Sequence, residues 1–536
     1  MSREQPTLIP DVLLTIMSFS DDVTISRLMR TTRYLNTEGA RYLLGGDDDT
    51  LEIYEDDALC SLISFLSAND GYRLRHLRGL SLLMVHPHRP TAVLLGDFLD
   101  TFSEKIRITT LCVLHLESLL ECSARLRYSL SRLSTLKCVD FGEVGRRGSQ
   151  MLSMSRSQLV TATIDWTRNS RHPRQRSSAQ TVATEDVPAP LSTSVHTSTL
   201  VHEGDEDDQR EDVPDSDSDS DTSLEDDASY EDEDSKNPVL VLSNSQWTLK
   251  SLSADNAFIL VDGAQHHEEV YPHVTDLYLK NVEAIETVAL VGAFPHLQNL
   301  EYSFKRRTVE DLADTDRFES CRMLNIIEQA RSGSWKSLQS CRALLSDLFL
   351  LAPSCPIRTL YIKGPTFIVK AMRSVLGRTK PVHLSLESFD AGVLARGIVR
   401  VMGRPYTLQI ECLEATLIAG FHAASPADVD APAIVDGLVA AVGSLPALRV
   451  LVVSVLCYLA ADPPCAAEAF MRGLDLDALA RRLCAACPTL RTVVVLLSGV
   501  RGRANERVRR GPQCTEFELY ADRMGNPGHR GTEGVG

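Results

Sequence analysis

Few residues in this chain combine the types and spacing that chemistry at a metal or redox centre requires. The run His266–Glu269, HHEE, is the nearest approach to a metal-binding cluster. Cys484 and Cys487 form a CxxC pair, but no second pair or nearby histidine cluster completes a zinc set. Cys487 precedes Pro488 at an expected helix end, which favours a structural role for both thiols. We therefore expect no metal site and no cofactor.

Motifs of nucleophilic, nucleotide-binding and zinc-dependent catalysis are also missing from the sequence. There is no GxSxG, no P-loop, no GxGxxG after a strand and no HExxH. The dense carboxylate pairs lie in a charged segment where no fixed geometry is expected. We interpret the chain as a protein that is not an enzyme. The alternative, a hydrolase-like enzyme without a known motif, would require a deep pocket lined by converging polar groups.

Five hydroxyl side chains in the acidic segment are candidates for phosphorylation. Each has an acidic residue three positions later, the pattern preferred by casein-kinase-II-type enzymes: Ser216, Ser218, Thr222, Ser223 and Ser229. Each phosphate would add about −1.5 to −2 charges. The segment is either a spacer that increases solubility or a region that attracts a basic partner, such as a histone-like tail.

Nearly all of the net charge is concentrated in one stretch. Glu203–Lys236 holds 18 acidic and 2 basic residues, a net −16 out of the −17 of the whole chain. The remainder is electrically balanced, so the bulk charge predicts neither a nucleic acid nor an anionic membrane as a partner. High charge and few large apolar residues predict a disordered acidic insert over residues 167–237 and a disordered tail over 522–536. The basic runs Arg168–Arg176 and Arg501–Arg510 are solvated loops, segments that fold back on the acidic residues, or weak nuclear signals.

The chain begins with a short apolar segment that predicts three helices, from Leu8 to Leu44. Pro10 suits the first turn of a helix, and Asp11 places a negative charge at its positive end. The apolar residues of the first helix exceed what one inward stripe needs: Leu13, Leu14, Ile16, Met17 and Phe19. A second helix carries Leu28, and a third ends at Gly45-Gly46.

This segment resembles an F-box, with residues 8–45 as the domain. The resemblance rests on the Ile9-Pro10 opening and the leucine-rich first helix. It implies binding to a Skp-type adaptor and, through it, to a cullin scaffold. By resemblance, the adaptor would contact Ile9, Pro10, Leu13, Leu14, Ile16, Phe19 and Leu28. The alternative is that these helices are the N-terminal cap of a larger domain.

An irregular repeat follows, in which an apolar residue is followed by two more at positions +3 and +5. Its instances are Leu77/Leu80/Leu82, Leu111/Leu114/Leu116, Val274/Leu277/Leu279, Leu297/Leu300/Tyr302, Ile357/Leu360/Ile362, Leu448/Leu451/Val453 and Leu490/Val493/Val495. The last two apolar residues stand two apart, as one face of a strand requires. Four units have a proline two residues ahead: Pro272, Pro295, Pro446 and Pro488. Residues 337–353 and 476–488 predict helices, and 382–388 and 406–413 predict strands.

The alternation of strands and helices predicts an α/β fold. It resembles the divergent leucine-rich-repeat-like arrays that follow the F-box in fungal receptors, here over residues 70–166 and 238–521. In such a solenoid, stacked strand–helix units bury a continuous core, and the strand side forms a concave surface that could hold a protein substrate. A non-repetitive α/β domain with parallel strands is the alternative.

Together these observations predict a non-catalytic substrate receptor of a cullin ubiquitin ligase, or else a repeat scaffold unconnected to ubiquitin ligation. No run of 18 apolar residues is present, and residues 1–11 lack the apolar region of a signal peptide. The cysteines lie mostly within apolar patterns, which is typical of buried thiols in a reducing compartment. We therefore expect a cytoplasmic or nuclear protein without a membrane partner.

Overall fold

The computed structural model describes residues 10–44, 50–166, 233–259, 269–282, 286–304, 315–364, 368–420, 429–458 and 465–511. Its helices begin with α1 Pro10–Met17, α2 Asp22–Met29, α3 Arg33–Glu38, α4 Ala40–Leu44, α5 Asp56–Ser67, α6 Arg89–Thr101, α7 Leu116–Cys122, α8 Ala124–Ser131 and α9 Arg146–Ser153. The later helices are α10 Pro238–Val241, α11 Thr287–Ala293, α12 Thr315–Ser332, α13 Leu345–Leu351, α14 Val369–Thr379, α15 Ala391–Val401, α16 Ala431–Gly443, α17 Ala466–Gly473 and α18 Leu476–Ala486. A 3₁₀ turn at Tyr72–His76 connects α5 to the next strand.

The strands of the described residues form one fifteen-stranded sheet. They are β1 Thr50–Ile53, β2 Gly79–Leu82, β3 Thr110–Val113, β4 Cys138–Phe141, β5 Thr161–Asp165, β6 Ser251–Asp255, β7 Asp276–Val282, β8 Asn299–Phe304, β9 Leu338–Leu344, β10 Ile357–Lys363, β11 His383–Asp390, β12 Cys412–Ala419, β13 Val450–Cys457, β14 Thr492–Ser498 and β15 Glu506–Arg510. Each strand pairs with its neighbours in chain order. All pairs are parallel except β14–β15. The α/β class predicted from the sequence is confirmed, and the order is compatible with a solenoid-like array.

One register runs across the parallel strands, so equivalent residues form rows. The central inward row is Leu80, Leu111, Val139, Ala162, Leu252, Leu277, Leu300, Cys341, Leu360, Leu384, Leu413, Leu451 and Val493, all buried. Because side chains alternate between the two faces of a strand, this row packs against the helices while the residues between point to the opposite, open face. The buried side chains form one hydrophobic core that extends from α1 to β14.

The predicted proline turns are all present and share one geometry. The residue before each proline is buried: Tyr271, Phe294, Leu445 and Cys487. Its carbonyl accepts a hydrogen bond from the N–H group three residues on, at 3.1–3.3 Å. The strand after the turn then begins to pair with the preceding strand. For example, Lys250 O, just before β6, accepts hydrogen bonds from both Thr275 N and Asp276 N at the start of β7. Proline suits this turn because it ends the helix and needs no N–H partner.

Two strand registers expected from the repeat differ in the structure. In the unit at Leu111, the second inward residue is Val113, whereas Leu114 is exposed and Leu116 already begins α7. The strand expected at 406–413 begins only at Cys412, because the chain first closes a turn in which Thr407 N donates to Arg404 O. Local apolar spacing cannot distinguish a strand residue from the first residue of a following helix.

The helix predicted over 337–353 is wrong in its first half. Leu338–Leu344 forms β9, in register between β8 and β10, and only Leu345–Leu351 is helical. Leu338, Cys341 and Ala343 of this segment are buried in the sheet. Pairing along both edges of the strand satisfies its backbone groups, and this outweighs the helix-like spacing of the leucines.

At the N-terminus, the third predicted helix is divided at Gly39 into α3 and α4. A Cβ atom at Gly39 would collide with Met17 Cε and Leu35 O, so the close approach of α1 requires glycine there. The sheet starts at β1, earlier than the expected boundary at residue 70. Gly45-Gly46 lies outside the described residues.

Most of the expected insert over 167–237 lies outside the described residues, but its last part belongs to the array. Residues 233–236 form a 3₁₀ turn, and the buried Asn237 caps α10 through its side-chain oxygen. β5 and β6 pair directly, and Gln158 Nε2 donates to Asn244 O although 86 residues separate them. The expected tail over 522–536 also lies outside the described residues.

Candidate functional site

The N-terminal helices separate their apolar side chains into a core and an exposed patch. Leu14 and Met17 face inward, at 7 % and 0 % exposure. Val12 and Ile16 are 43 % and 45 % exposed, and Phe19 is 88 % exposed. These three stand at i, i+4 and i+7, so they lie on one face of α1 and its end. We call Val12, Ile16, Phe19 and the exposed Val23 the α1 patch.

The structure distributes the expected adaptor-contact residues unevenly. Ile16 and Phe19 are in the α1 patch, Leu13 and Leu28 are half-buried, and Leu14 is buried in the core. Leu14 is 7 % exposed, so little of its side chain is accessible to an adaptor in this structure. Pro10 is the first residue of α1, and Ile9 lies outside the described residues.

Two members of the patch, Val12 and Val23, were not predicted from the sequence. The spacing of Val12 to Ile16 is a helical signal that was present in the sequence. That signal was overlooked because the larger leucines nearby suggested that a different face of the helix contacts the adaptor.

The N-terminal helices are joined to the first repeat through Arg73, which is 4 % exposed. Its guanidinium donates to Phe65 O at 2.7 Å, donates to the side-chain oxygen of Asn36, and stacks on the Phe65 ring with 4.1 Å from Cζ to the centroid. Burial lowers the pKa of Arg73. Tyr72 Oη also donates to Glu38 Oε1, at 3.1 Å. These contacts fix the N-terminal helices, and with them the α1 patch, to the first repeat.

The open face of the sheet is a second surface available to a partner. Its central row is Ser81, Cys112, Asp140, Thr163, Ser253, Tyr278, Glu301, Arg342, Tyr361, Ser385, Glu414, Val452 and Val494. The row changes character along the array, from acidic and hydroxyl side chains through a charged centre to aliphatic side chains at the C-terminal end. Four members of this row are themselves buried, so the row is not uniformly accessible: Ser81, Ser385, Val452 and Val494.

The first part of the open face, over β4–β7, is acidic. Asp255 accepts from the amides of Asn256 and Asn281 at 3.0 and 2.8 Å, and Asp276 accepts from Asn299 at 2.7 Å. These donors are neutral, so they satisfy the carboxylates without cancelling their charge. The loss of solvent contact and then the nearby Asp165 carboxylate raise the pKa of Asp140. The register also sets Lys280 of β7 beside Asp255, which offsets part of this negative charge.

The centre of the open face, over β8–β12, contains crossed ion pairs. Glu301 binds Lys363 at 3.2 Å, and Arg342 binds Glu387 at 2.8 Å while it stacks on Tyr361. Glu414 lies beside them on β12. Burial raises its pKa, opposed by the hydrogen bond that Ser385 Oγ donates to it at 3.3 Å. These opposite charges satisfy each other within the face.

No group of three or more His, Cys, Asp or Glu side chains in the described ranges is placed to hold a metal ion. Burial raises the pKa of Cys355 and of Cys457 to about 11, which keeps these thiols protonated at neutral pH. The buried Cys487 thiol contacts Leu445 O at 3.4 Å, which fits a structural role. None of the described helices has the length and apolarity to cross a bilayer.

Two groups of candidates from the sequence lie outside the described residues. They are the phosphorylation candidates Ser216, Ser218, Thr222, Ser223 and Ser229, and the histidines His266 and His267.

The basic run Arg501–Arg510 is described, and it is not simply a solvated loop. Arg501 binds the buried Glu468, and Arg510 binds Asp477.

Comparison with known proteins does not assign the chain to a family. No protein-family model matches it, and a search of curated proteins finds no significant match.

Proposed function

We propose that this chain is a non-catalytic substrate-recognition subunit of a Skp-cullin-F-box type ubiquitin ligase. In this proposal the adaptor covers the α1 patch, and the open sheet face holds a protein substrate. The cullin scaffold is then reached through the adaptor, and the chain itself carries out no chemical step.

The observation that carries the proposal is the exposure of the α1 patch on an otherwise packed module. Phe19 is 88 % exposed within two turns of Leu14 and Met17, which are buried. Large apolar side chains clustered at a surface mark sites that a partner covers. The resemblance of residues 8–45 to an F-box supplies the kind of partner.

A binding measurement with purified Skp-type adaptor and the full chain tests the proposal. The variant Ile16→Ala/Phe19→Ala should lose adaptor binding, because it removes the two patch residues that were also expected contacts. The matched control is Leu324→Ala/Ile327→Ala on α12, since both side chains are exposed and lie far along the chain. We expect the control to bind like the wild type. No binding of the wild-type chain at micromolar adaptor concentrations would contradict the proposal.

A second function is supported by a different observation: the N-terminal helices share the core of the array. Leu14 and Met17 belong to the same hydrophobic core as Leu59 and Leu66 of α5. This is what a cap on the first repeat requires. The chain would then be a protein-binding scaffold unconnected to ubiquitin ligation. Capture of a partner by the open sheet face without adaptor or cullin would favour this function.

A further inference from the structure

Four charged side chains meet on the outer, helical side of the array, where side chains of α12 reach α14. Glu319 of α12 is the one carboxylate among them. It accepts a hydrogen bond from Lys370 Nζ and another from Arg322 Nη1, the latter at 3.1 Å. The hydrogen bond from Lys370 and then that from Arg322 lower the pKa of Glu319. One carboxylate therefore serves two cations, and the fourth side chain, Arg378, adds a third cation.

Arg322 is held in a fixed position by contacts on several sides. Its side chain is only 14 % exposed. Its Nη2 donates to Ser374 Oγ at 2.8 Å, and its guanidinium stacks on the Phe349 ring with 4.4 Å from Cζ to the centroid. Its Nε is buried without a hydrogen-bond partner. Arg322 is thus a positioned cation whose donors are not all used.

Arg378 lies near Arg322 and has no anionic partner among the described residues. It stands four positions after Ser374 on α14, so both side chains are on one face of the helix. Helical side chains lean toward the N-terminus, which brings the Arg378 guanidinium back over Ser374. Burial and then the positive charge of Arg322 lower the pKa of Arg378, and no acid of the described ranges opposes this effect.

These side chains carry an excess of positive charge. We call Glu319, Arg322, Lys370, Ser374 and Arg378 the α12–α14 cluster. Its three cations and one carboxylate leave two positive charges without a counter-charge within the cluster. Two guanidinium groups held together and partly out of solvent repel each other unless an anion lies between them. Ser374 Oγ accepts from Arg322 through a lone pair, so its own O–H is left to donate.

We propose that Arg322, Ser374 and Arg378 bind a phosphate group. A phosphate monoester carries about −1.5 to −2 charges at neutral pH, which matches the excess charge of the cluster, whereas a carboxylate would neutralise only half of it. The ionised phosphate oxygens accept hydrogen bonds, and arginine can donate two parallel ones to them. Inorganic phosphate and the headgroup of phosphatidic acid share this chemistry.

The site is independent of the proposed ligase function. It lies on the helical side of the array, whereas the adaptor would bind the α1 patch and a substrate would bind the open sheet face. Loss of phosphate binding would therefore leave adaptor binding intact, and the two proposals can fail separately.

A simpler role for Arg378 is to stabilise α14 alone. It lies in the last turn of the helix, where a positive charge interacts favourably with the helix dipole. That role does not explain why Arg322 is nearby or why the Ser374 hydroxyl has no acceptor among the described residues. It predicts that loss of Arg378 lowers the melting temperature equally with and without phosphate. A binding site predicts that phosphate stabilises the wild type and not the variant.

Thermal unfolding of the full-length chain with increasing inorganic phosphate tests the site, because a ligand that binds only the folded state raises the melting temperature. Sodium chloride at equal ionic strength controls for screening. Isothermal titration calorimetry with inorganic phosphate measures the affinity. The variants are Arg378→Gln, Arg378→Lys and Ser374→Ala. Arg373→Gln is the matched control, since Arg373 belongs to the same helix but is exposed and donates to Arg400 O of α15.

A second arm distinguishes the two sources of phosphate. It compares co-sedimentation of the chain with phosphatidic acid vesicles and with phosphatidylcholine vesicles. Binding of inorganic phosphate would assign the site to soluble phosphates, and binding of phosphatidic acid vesicles alone would assign it to a lipid headgroup. Either result supports the site only if Arg378→Gln removes the binding.

We expect phosphate to raise the melting temperature of the wild type and of Arg373→Gln alike. Arg378→Gln should weaken binding about tenfold or more, since a hydrogen bond to a charged group contributes at least that factor. Arg378→Lys should recover part of the affinity, because lysine keeps the charge but not the two parallel hydrogen bonds. Ser374→Ala should weaken binding less than Arg378→Gln, because both cations remain.

The proposal is overturned if the wild type binds neither inorganic phosphate nor phosphatidic acid vesicles, or if Arg378→Gln binds with wild-type affinity. An equal loss of melting temperature in Arg378→Gln with and without phosphate would also overturn it, because Arg378 would then stabilise α14 alone.

Discussion

At the scale of single residues, the buried carboxylate of Glu468 organises the end of the array. It is 2 % exposed and accepts from Arg472 at 2.9 Å and from Arg501 at 3.2 Å. The two arginines belong to α17 and to the loop before β15, so one carboxylate holds two elements together. A buried charge needs such partners, because an unpaired one is strongly destabilising.

We predict that Glu468→Gln lowers the free energy of unfolding by about 2 kcal/mol, since hydrogen bonds to charged groups are worth about 1.5–3 kcal/mol. Both guanidinium groups are nearly half exposed and can return to solvent, which keeps the loss moderate. The control is Glu506→Gln, in which an exposed acid loses its pairing with Arg503 at an expected cost below about 1 kcal/mol. Denaturant unfolding measures both, and equal effects would contradict the role of Glu468.

A second residue-scale prediction separates core from patch in α1. Leu14→Ala should cost about 2–5 kcal/mol, the range for a buried leucine, whereas Phe19→Ala should stay within about 0.5 kcal/mol. The N-terminal helices share the core of the array, so unfolding of the full chain reports both changes. A large loss for Phe19→Ala would mean that this side chain is covered within the monomer.

At the scale of elements, each parallel strand depends on its inward leucine. Leu300 and Leu451 occupy the same row of β8 and β13 and are buried. We predict that Leu→Ala at either position costs about 2–5 kcal/mol. Leu324→Ala on the outer face of α12 is the control, with an expected change within about 0.5 kcal/mol. A small loss of unfolding free energy for Leu300→Ala or Leu451→Ala, measured by urea unfolding, would show that the inward row does not form the core.

The ion pair between Asp477 of α18 and Arg510 of β15 should depend on pH. Hydrogen bonds from Arg510 lower the pKa of Asp477 below its usual 3.8. A carboxyl whose pKa is lowered by folding contributes stability above the pKa of the unfolded chain and loses it as the pH falls through the folded value. We predict that wild type exceeds Asp477→Asn in stability at pH 7 and that this gap closes as the pH falls below 3.8. A gap that does not change between pH 7 and pH 3 would argue against this pair.

At the scale of the whole molecule, the sheet continues from the strand before the acidic insert to the strand after it. The insert can therefore be deleted without interrupting the sheet. β5 and β6 pair directly, so removing residues 200–231 should leave the melting temperature unchanged and raise the isoelectric point. Extending the deletion to residue 236 should lower the melting temperature, because Phe258 N donates to Lys236 O. Thermal unfolding of both variants measures the difference. A drop of several degrees for the shorter deletion would show that the insert supports the fold.

The sequence by itself was enough to predict the α/β class, the proline turns and most inward strand residues. These features are local: a period of two, a proline and a buried apolar residue lie within a few positions of each other. The same reasoning placed Leu277, Leu300, Leu360, Leu451 and Val493 in the core, where the structure has them. The kind of partner remains a prediction from the N-terminal resemblance.

Tertiary structure alone decided which apolar residues of α1 remain exposed and which segment around Leu338 is a strand. Leu14 and Phe19 have similar hydrophobicity, and only the approach of α2 and α3 separates a buried side from an open one. β9 is a strand because neighbours on both sides pair with it, although its own spacing favours a helix. The contacts of Glu468 with Arg501 and of Arg73 with Asn36 join residues that are more than 30 positions apart. Such pairs depend on where the chain returns in space, which local patterns of residue type do not encode.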